Sequence, residues 1–147
     1  MNVVFKKTTL DDLETIASQE KSVAGNKTYS ALLEEDEIKK YIKEGHVFLI
    51  LDGSQIIGSI AYQIKSKDHA YIEGLVITPD FQGKGYGTAV INKILEELKN
   101  YKIISLVTHP ENSNAIMIYL KAGFKIKAWK DNFFGDGEAR IELIKEN

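Results

Sequence analysis

The sequence predicts an α+β domain built on a mixed, mostly antiparallel sheet, and two features carry that expectation. Three β-type runs, at residues 46–51, 55–64 and 69–78, are separated only by Asp52-Gly53-Ser54 and Lys65-Ser66-Lys67-Asp68. Connections that short and polar join antiparallel neighbours. A helical run then precedes the next apolar segment, residues 103–108, and a helical crossover returns a strand parallel to its predecessor.

In chain order, residues 3–6 read as a first short strand. Thr8 or Thr9 before Leu10-Asp11-Asp12 reads as a capped helix start with acids in its first turn, and Leu13, Ile16 and Ala17 form that helix's apolar face. Residues 22–30, with Gly25-Asn26, read as a loop. A second helix over about residues 34–43 groups Ile38, Tyr41 and Ile42 at three- and four-residue spacings, and Gly45 ends it. After the meander, a helix buries Val90, Ile94 and Leu98, with Ile91 and Leu95 alongside. A helix over about residues 112–122 is expected to carry Ile116, Tyr119 and Leu120 on one side and to end at Gly123. Strands over residues 124–130 and 139–145, joined by Asn132-Phe133-Phe134-Gly135-Asp136-Gly137, complete one domain spanning residues 1–147.

Composition narrows the function classes. The 147 residues are 44% hydrophobic and 27% charged, with a net charge of −2, which offers no general attraction to nucleic acid or anionic membranes. The absence of cysteine removes disulfides, thiolate metal sites and a cysteine nucleophile. His46, His69 and His109 are scattered, so no metal site is expected, and His109 reads as an exposed loop residue. The first residues, Met1 to Lys7, lack the apolar core of a signal peptide. The expected location is cytoplasmic, and the expected state is a monomer or homodimer.

The chemistry concentrates between Tyr71 and Lys99. A β-type run ending Val76-Ile77-Thr78-Pro79 meets Gln82-Gly83-Lys84-Gly85-Tyr86-Gly87, and a helical run follows. That order exposes backbone N–H groups at a helix N-terminus, where the macrodipole favours an anion. The glycines let a phosphate approach the main chain. A Walker loop would need a longer glycine spacing followed by Lys-Ser or Lys-Thr. A Rossmann site would follow the first strand of a parallel βαβ unit, with an acid about 20 residues on. Neither pattern is present.

Gln82-x-x-Gly85-x-Gly87 resembles the acyl-CoA pyrophosphate loop of the GNAT superfamily of N-acetyltransferases. Asn112-x-x-Ala115-x-x-x-Tyr119-x-x-x-Gly123-Phe124 resembles that superfamily's second signature, and the element order over residues 3–145 is similar throughout. The resemblance implies about seven strands flanked by about four helices, with strands 4 and 5 splayed apart at a β-bulge and acetyl-CoA entering the gap as co-substrate. It implies that the backbone of Leu75, Val76 and Ile77 pairs with pantetheine, and that amides from Gly83, Lys84, Gly85, Tyr86, Gly87 and Thr88 hold the pyrophosphate. Gln82 would shape the loop and Asn112 contact the cofactor; Asn112 also reads as a simple helix N-cap after Pro110-Glu111, and both readings can hold together.

The resemblance makes Tyr119 the acid that protonates the departing thiolate; a phenol of pKa about 10 is protonated at neutral pH. Glu73 is the expected base, placed by strand alternation on one face with Tyr71 and Leu75. The other readings are a core aromatic for Tyr119 and a merely orienting carboxylate for Glu73. The hairpin segment around Phe133 and Phe134 is similar to that of protein N-terminal acetyltransferases, including ribosomal-protein alanine acetyltransferases. It departs from them in lacking the tyrosine hydroxyls, and Val107 stands where several place a base. Tyr29, Tyr71, Phe133 and Phe134 are the expected acceptor contacts. The acceptor is expected to be a primary amine, such as a protein N-terminal α-amine. A polyamine or amino sugar is the alternative, attracted by acids at Glu34 to Glu37 and at Asp131, Asp136 and Glu138 that otherwise read as solvated surface. A non-catalytic acyl-CoA-binding module is the third.

Overall fold

Local sequence determines most element ends. In the computed structural model, which describes residues 1–147, β1 (Val3–Lys7) leads into a 3-10 turn over Leu10–Asp12. Thr9 caps that turn: its side chain accepts from Asp11 N–H, while Asp12 accepts a bond from Thr9 N–H, a reciprocal capping box. The threonine signal therefore caps the turn, and α1 (Leu13–Val23) starts just after it. α2 (Glu35–Glu44) is followed by β2 (His46–Asp52), β3 (Gln55–Ser66) and β4 (His69–Ile77). α3 (Tyr86–Glu97), β5 (Ile103–Thr108), α4 (Ser113–Lys121), β6 (Lys125–Lys130) and β7 (Arg140–Glu146) complete the chain.

The seven strands form one sheet in the order β1-β2-β3-β4-β5-β7-β6. Every pairing is antiparallel except β4 with β5, so the helical crossover through α3 gives the parallel pair expected of it. Period-2 alternation divides the apolar side chains between two cores. One face packs Ile50, Ile60, Ile72, Ile104 and Leu143 against Val90, Ile91 and Ile94 of α3 and Tyr119 of α4. The other packs Val47, Leu49 and Ala61 against Ile16 of α1 and Ile38 and Ile42 of α2.

Two irregularities shape the middle of the sheet. β4 pairs with β5 only from His69 to Ile72. At the next residue the β3–β4 register slips, with Tyr62 opposite Ile72 but Ala61 opposite Gly74. Glu73 is thus the extra residue of a β-bulge, with no ladder partner on either side. Such a bulge bends and twists its strand, and here it falls where β4 parts from β5. It also resets the alternation, which corrects the expectation that Leu75 shares a face with Glu73. Leu75 and Ile77 pack on the α3/α4 core, whereas Glu73 faces the α1/α2 side.

α4 requires a second correction. Leu120 is 45% exposed, and the core-facing residues are Ala115, Ile118, Tyr119 and Ala122, a set offset by one step from the row through Ile116 and Leu120. The helix ends in a Schellman motif. Phe124 N–H reaches Tyr119 C=O (3.0 Å) and Gly123 N–H reaches Leu120 C=O (3.1 Å). Gly123 has φ +101°, a conformation that disfavours any residue with a Cβ. The accompanying apolar contact is Phe124 against the Tyr119 ring, 5.8 Å between centroids. The Gly-Phe pair therefore fixes the turn of helix that carries Tyr119.

Candidate functional site

The splay opens into a cavity of about 870 Å³ that runs from the glycine turn, past Glu73 and Tyr119, to the β6–β7 hairpin. At its first end Gly85, with φ +89°, precedes α3 as an N-cap that carries no side chain to occupy the helix-terminal N–H groups. The first bond of the α3 ladder here is Ala89 N–H to Gly85 C=O. The N–H groups of Tyr86, Gly87 and Thr88 are thus helix-terminal donors, an anion-binding arrangement. The Gln82 side chain donates to Ile77 C=O at 2.8 Å, tying the loop to the end of β4. Tyr86 donates its hydroxyl to Asp52 (2.6 Å) and sets its ring edge-on to Phe81, so its side chain anchors the loop. The Tyr86 bond holds the Asp52 carboxyl below its ordinary pKa.

Leu75, Val76, Ile77, Gln82, Gly83, Gly85, Tyr86, Gly87, Thr88 and Asn112 all line this cavity. Lys84 does not; its ammonium lies over the Phe81 ring, 5.8 Å from the centroid. Asn112 occupies the N-cap position of α4 but makes no side-chain capping bond, which leaves its amide free of the helix and removes the simple N-cap reading.

At the centre, Tyr119 is 8% exposed. Burial, and then the nearby Tyr29, push its phenol well above the ordinary value; no hydrogen bond contributes. The phenol therefore stays protonated across the neutral range. Glu73 also lines the cavity, and burial raises its carboxyl, opposed by a hydrogen bond from Gln63 and by the charges of Lys65 and His46. The Gln63 amide is oriented by its other end: Lys65 Nζ donates to Gln63 Oε1 at 2.7 Å, and Gln63 Nε2 donates to Glu73 Oε2.

The far end is made of side chains that sequence reasoning identifies and others that it misses. Tyr29, Tyr71, Phe133 and Phe134 line it; burial, then Glu73 and Glu142, push Tyr71 up to about 12. The α1–α2 loop that carries Tyr29 is tied across the cleft by the exposed Lys27–Glu111 ion pair, a contact of small energy. Among the missed residues, Tyr41 places its hydroxyl 2.8 Å from where a Cβ at Gly74 would stand. Burial, then Glu73 and Glu20, raise its pKa strongly. Glu20, 7% exposed, is raised by burial and accepts from Leu32 N–H. Strand alternation is enough to pair Gln63 with Lys65. Nothing in the sequence announces the register that brings them to Glu73.

His109 corrects another expectation. It is buried at 4% exposure, with Nδ1 accepting Glu111 N–H (3.0 Å) and Nε2 directed at Glu138 (3.3 Å). The chain turns back at Pro110, where Asn112 N–H bonds to His109 C=O (3.0 Å). With both nitrogens engaged, it has no lone pair for the cavity. The acids at Glu34 to Glu37 and at Asp131 and Asp136 are exposed and lie outside the cavity wall.

Comparison with known proteins places these features in a family. The model of the acetyltransferase (GNAT) family matches residues 10–124. The fold is also that of a GNAT acetyltransferase from Elizabethkingia anophelis solved with acetyl-CoA (TM-score 0.69, 23% identity, 78% of this chain and 84% of that one). It is shared by a chimeric spermidine N-acetyltransferase built on the Vibrio cholerae enzyme (0.82, 21%, 99% and 96%). The ribosomal-protein-S18-alanine N-acetyltransferase of Escherichia coli has it too (0.81, 17%, 99% and 94%). Curated relatives match at 38% and 34% identity over 72 and 79 residues, and the matches cover 32% and 48% of those relatives' lengths. No helix is long and apolar enough to cross a membrane.

Proposed function

The chain belongs to the acetyltransferase (GNAT) family, and from that premise we propose that it transfers the acetyl group of acetyl-CoA directly to a primary α-amine. The observation that carries this reading is that Glu73 and Tyr119, from opposite sides of the sheet, line one cavity beside the β4–β5 splay. The terminal N–H groups of α3 would take the pyrophosphate, and the β4 edge released by β5 would pair with pantetheine.

The acceptor arrives as an ammonium, which has no lone pair. Deprotonation at pH 7 costs about 1–1.5 kcal/mol for an α-amine of pKa about 8, and about 4–5 kcal/mol for a lysine-like amine. A single carboxylate with a raised pKa is matched to the smaller task. Glu73 accepts one proton, and the amine nitrogen attacks the thioester carbonyl. As the C–S bond breaks, the Tyr119 hydroxyl protonates the thiolate, and the proton still carried by nitrogen restores the phenol through solvent. The balance is one ammonium and one acetyl-CoA giving one amide, one free CoA thiol and one proton. No covalent enzyme intermediate is required. Peptide N-termini, including those of proteins, present such an amine; a free amino acid presents a more basic one, because its own carboxylate stabilises the ammonium, and a cation that neutralises that carboxylate brings the amine back toward the same range.

The test is to incubate the protein with acetyl-CoA and a panel of amines and to follow free thiol. Amine-dependent release, with α-amines ahead of polyamines, is expected. CoA binding without amine-dependent release across the panel would overturn the proposal.

A further inference from the structure

Arg140 opens β7 and is 2% exposed, yet the proposed reaction assigns it nothing. Ile141 and Leu143 of the same strand pack on the α3/α4 core, so alternation turns Arg140 and Glu142 to the opposite face, the one that carries Tyr71 and Glu73. A guanidinium has five N–H donors and no acceptor. Here Nη1 donates to Ala139 C=O (3.1 Å) and Nη2 to Asp136 Oδ2 (2.9 Å), and the other three donors have no protein acceptor. Arg140 lines the cavity, whereas its partner Asp136 does not. The Phe134 ring centroid lies 5.1 Å from the guanidinium carbon, within cation–π range. Whatever occupies this end of the cavity meets N–H donors on a buried cation, not the carboxylate that balances it.

The other charges nearby are engaged. Glu142 sits beside Lys130 (3.8 Å), and Lys65 is bonded to Gln63. Glu73 marks the amine end. Where β4 and β5 are paired, β4 and β7 are two strand spacings apart, about 10 Å; beyond Ile72 the splay widens that gap, and Glu73 and Arg140 both line the cavity it opens.

We infer that the acceptor carries a carboxylate a few bonds from its amine, that Arg140 binds that carboxylate, and that the substrate is therefore a free amino acid. This rests on Glu73 marking the amine end, as in the proposed function. A planar fork of donors on a charged group binds carboxylate bidentately and more strongly than it binds a neutral carbonyl. A polyamine offers this end only further ammonium groups, which the guanidinium cannot accept from and repels.

The experiment compares the common amino acids with their C-terminal amides, and with putrescine and spermidine. Two readouts are used: acetyl transfer from acetyl-CoA, and calorimetric binding with CoA present, which needs no turnover. For the accepted side chains, the free acid is expected to exceed its amide by about 10-fold or more in both kcat/KM and affinity, the range of a hydrogen bond to a charged group. Arg140→Gln is expected to bring that ratio close to one while leaving acetyl-CoA affinity unchanged. Asp136→Asn, which spares the guanidinium, is expected to keep the preference and decides the matter if R140Q does not fold. Equal affinities for acids and amides, polyamines preferred over every amino acid, no amino acid bound, or a preference lost in D136N would each overturn the inference. Absence of transfer with a preserved binding preference would overturn the proposed reaction and leave the carboxylate site standing.

Discussion

The glycine-turn end of the cleft is backbone from one continuous stretch, Gly83 to Thr88, whereas the opposite end is side chains from α1, α2, β3, β4, β7 and two loops. In the proposed reading the first end binds through N–H groups that every residue there carries, so its sequence requirement is mainly that nothing obstruct them. The second would bind through particular atoms, including those of Glu73, Gln63, Tyr41 and Arg140, that only the sheet register brings together. Ligand affinity at the two ends should therefore fail in different ways: by obstruction at one, by loss of a single group at the other.

The largest effect is expected where obstruction is complete. Gly85→Glu places a carboxylate against the site proposed for pyrophosphate. Like charges brought together cost several kcal/mol, so acetyl-CoA affinity should fall by about 100-fold or more. Gly85 has φ +89°, so the substitution also strains the backbone. Gly85→Asn, whose side chain tolerates that conformation, separates the two effects and should bind far better than the glutamate variant. Normal calorimetric affinity in Gly85→Glu would remove the phosphate-loop assignment.

At the other end the prediction is selective. Glu73→Gln keeps shape and removes the proton acceptor, so turnover should fall by about 10²–10⁴-fold with acetyl-CoA affinity intact. If both fell together, the contrast between the two ends would be wrong. Tyr119→Phe should reduce turnover less, by about 10²-fold at the lower edge of the same range, because a CoA thiolate is a tolerable leaving group without an acid. The pH profiles distinguish the two roles. Burial raises Glu73, so activity is lost as pH falls through a value above the ordinary carboxylate range. Burial also raises Tyr119, so its acid form persists far into the alkaline side and gives no descending limb near neutrality.

The same division explains which parts of the molecule are legible in its sequence. The glycine turn, the Asn112 to Phe124 signature and the meander are local, and local spacing suffices to find them. The Schellman motif at Gly123 and Phe124 is a clear case, since six consecutive residues, Tyr119 to Phe124, contain its whole logic. Leu75 escapes such a reading because alternation presumes an unbroken strand, and the bulge at Glu73 is a property of the β3–β4 register. His109 escapes it because its burial depends on Glu111 and Glu138 arriving from opposite sides. Arg140 carries no signal at all: an arginine opening a terminal strand reads as surface until its neighbours are known.

The smallest effect sharpens the contrast most, because it concerns a residue that touches neither the reacting carbonyl nor the proposed leaving group. Gln63 donates to the Glu73 carboxylate, and Lys65 fixes which end of the amide does so. A hydrogen bond to the charged form favours that form, so the Gln63 bond lowers the Glu73 pKa against the rise caused by burial. Gln63→Leu keeps much of the volume and deletes the donor, and the Glu73 pKa should rise further. Since the proposed role of Glu73 requires its deprotonated form, the acid limb of kcat/KM should move to higher pH. Activity then drops a few-fold under mildly acidic conditions and scarcely at all on the alkaline plateau. A purely structural role for Gln63 would lower the plateau and leave the limb where it was. Gln63→Glu adds a second carboxylate beside the first, so it should move the limb further in the same direction. A limb that shifts downward in either variant would show that Glu73 is not the group being titrated.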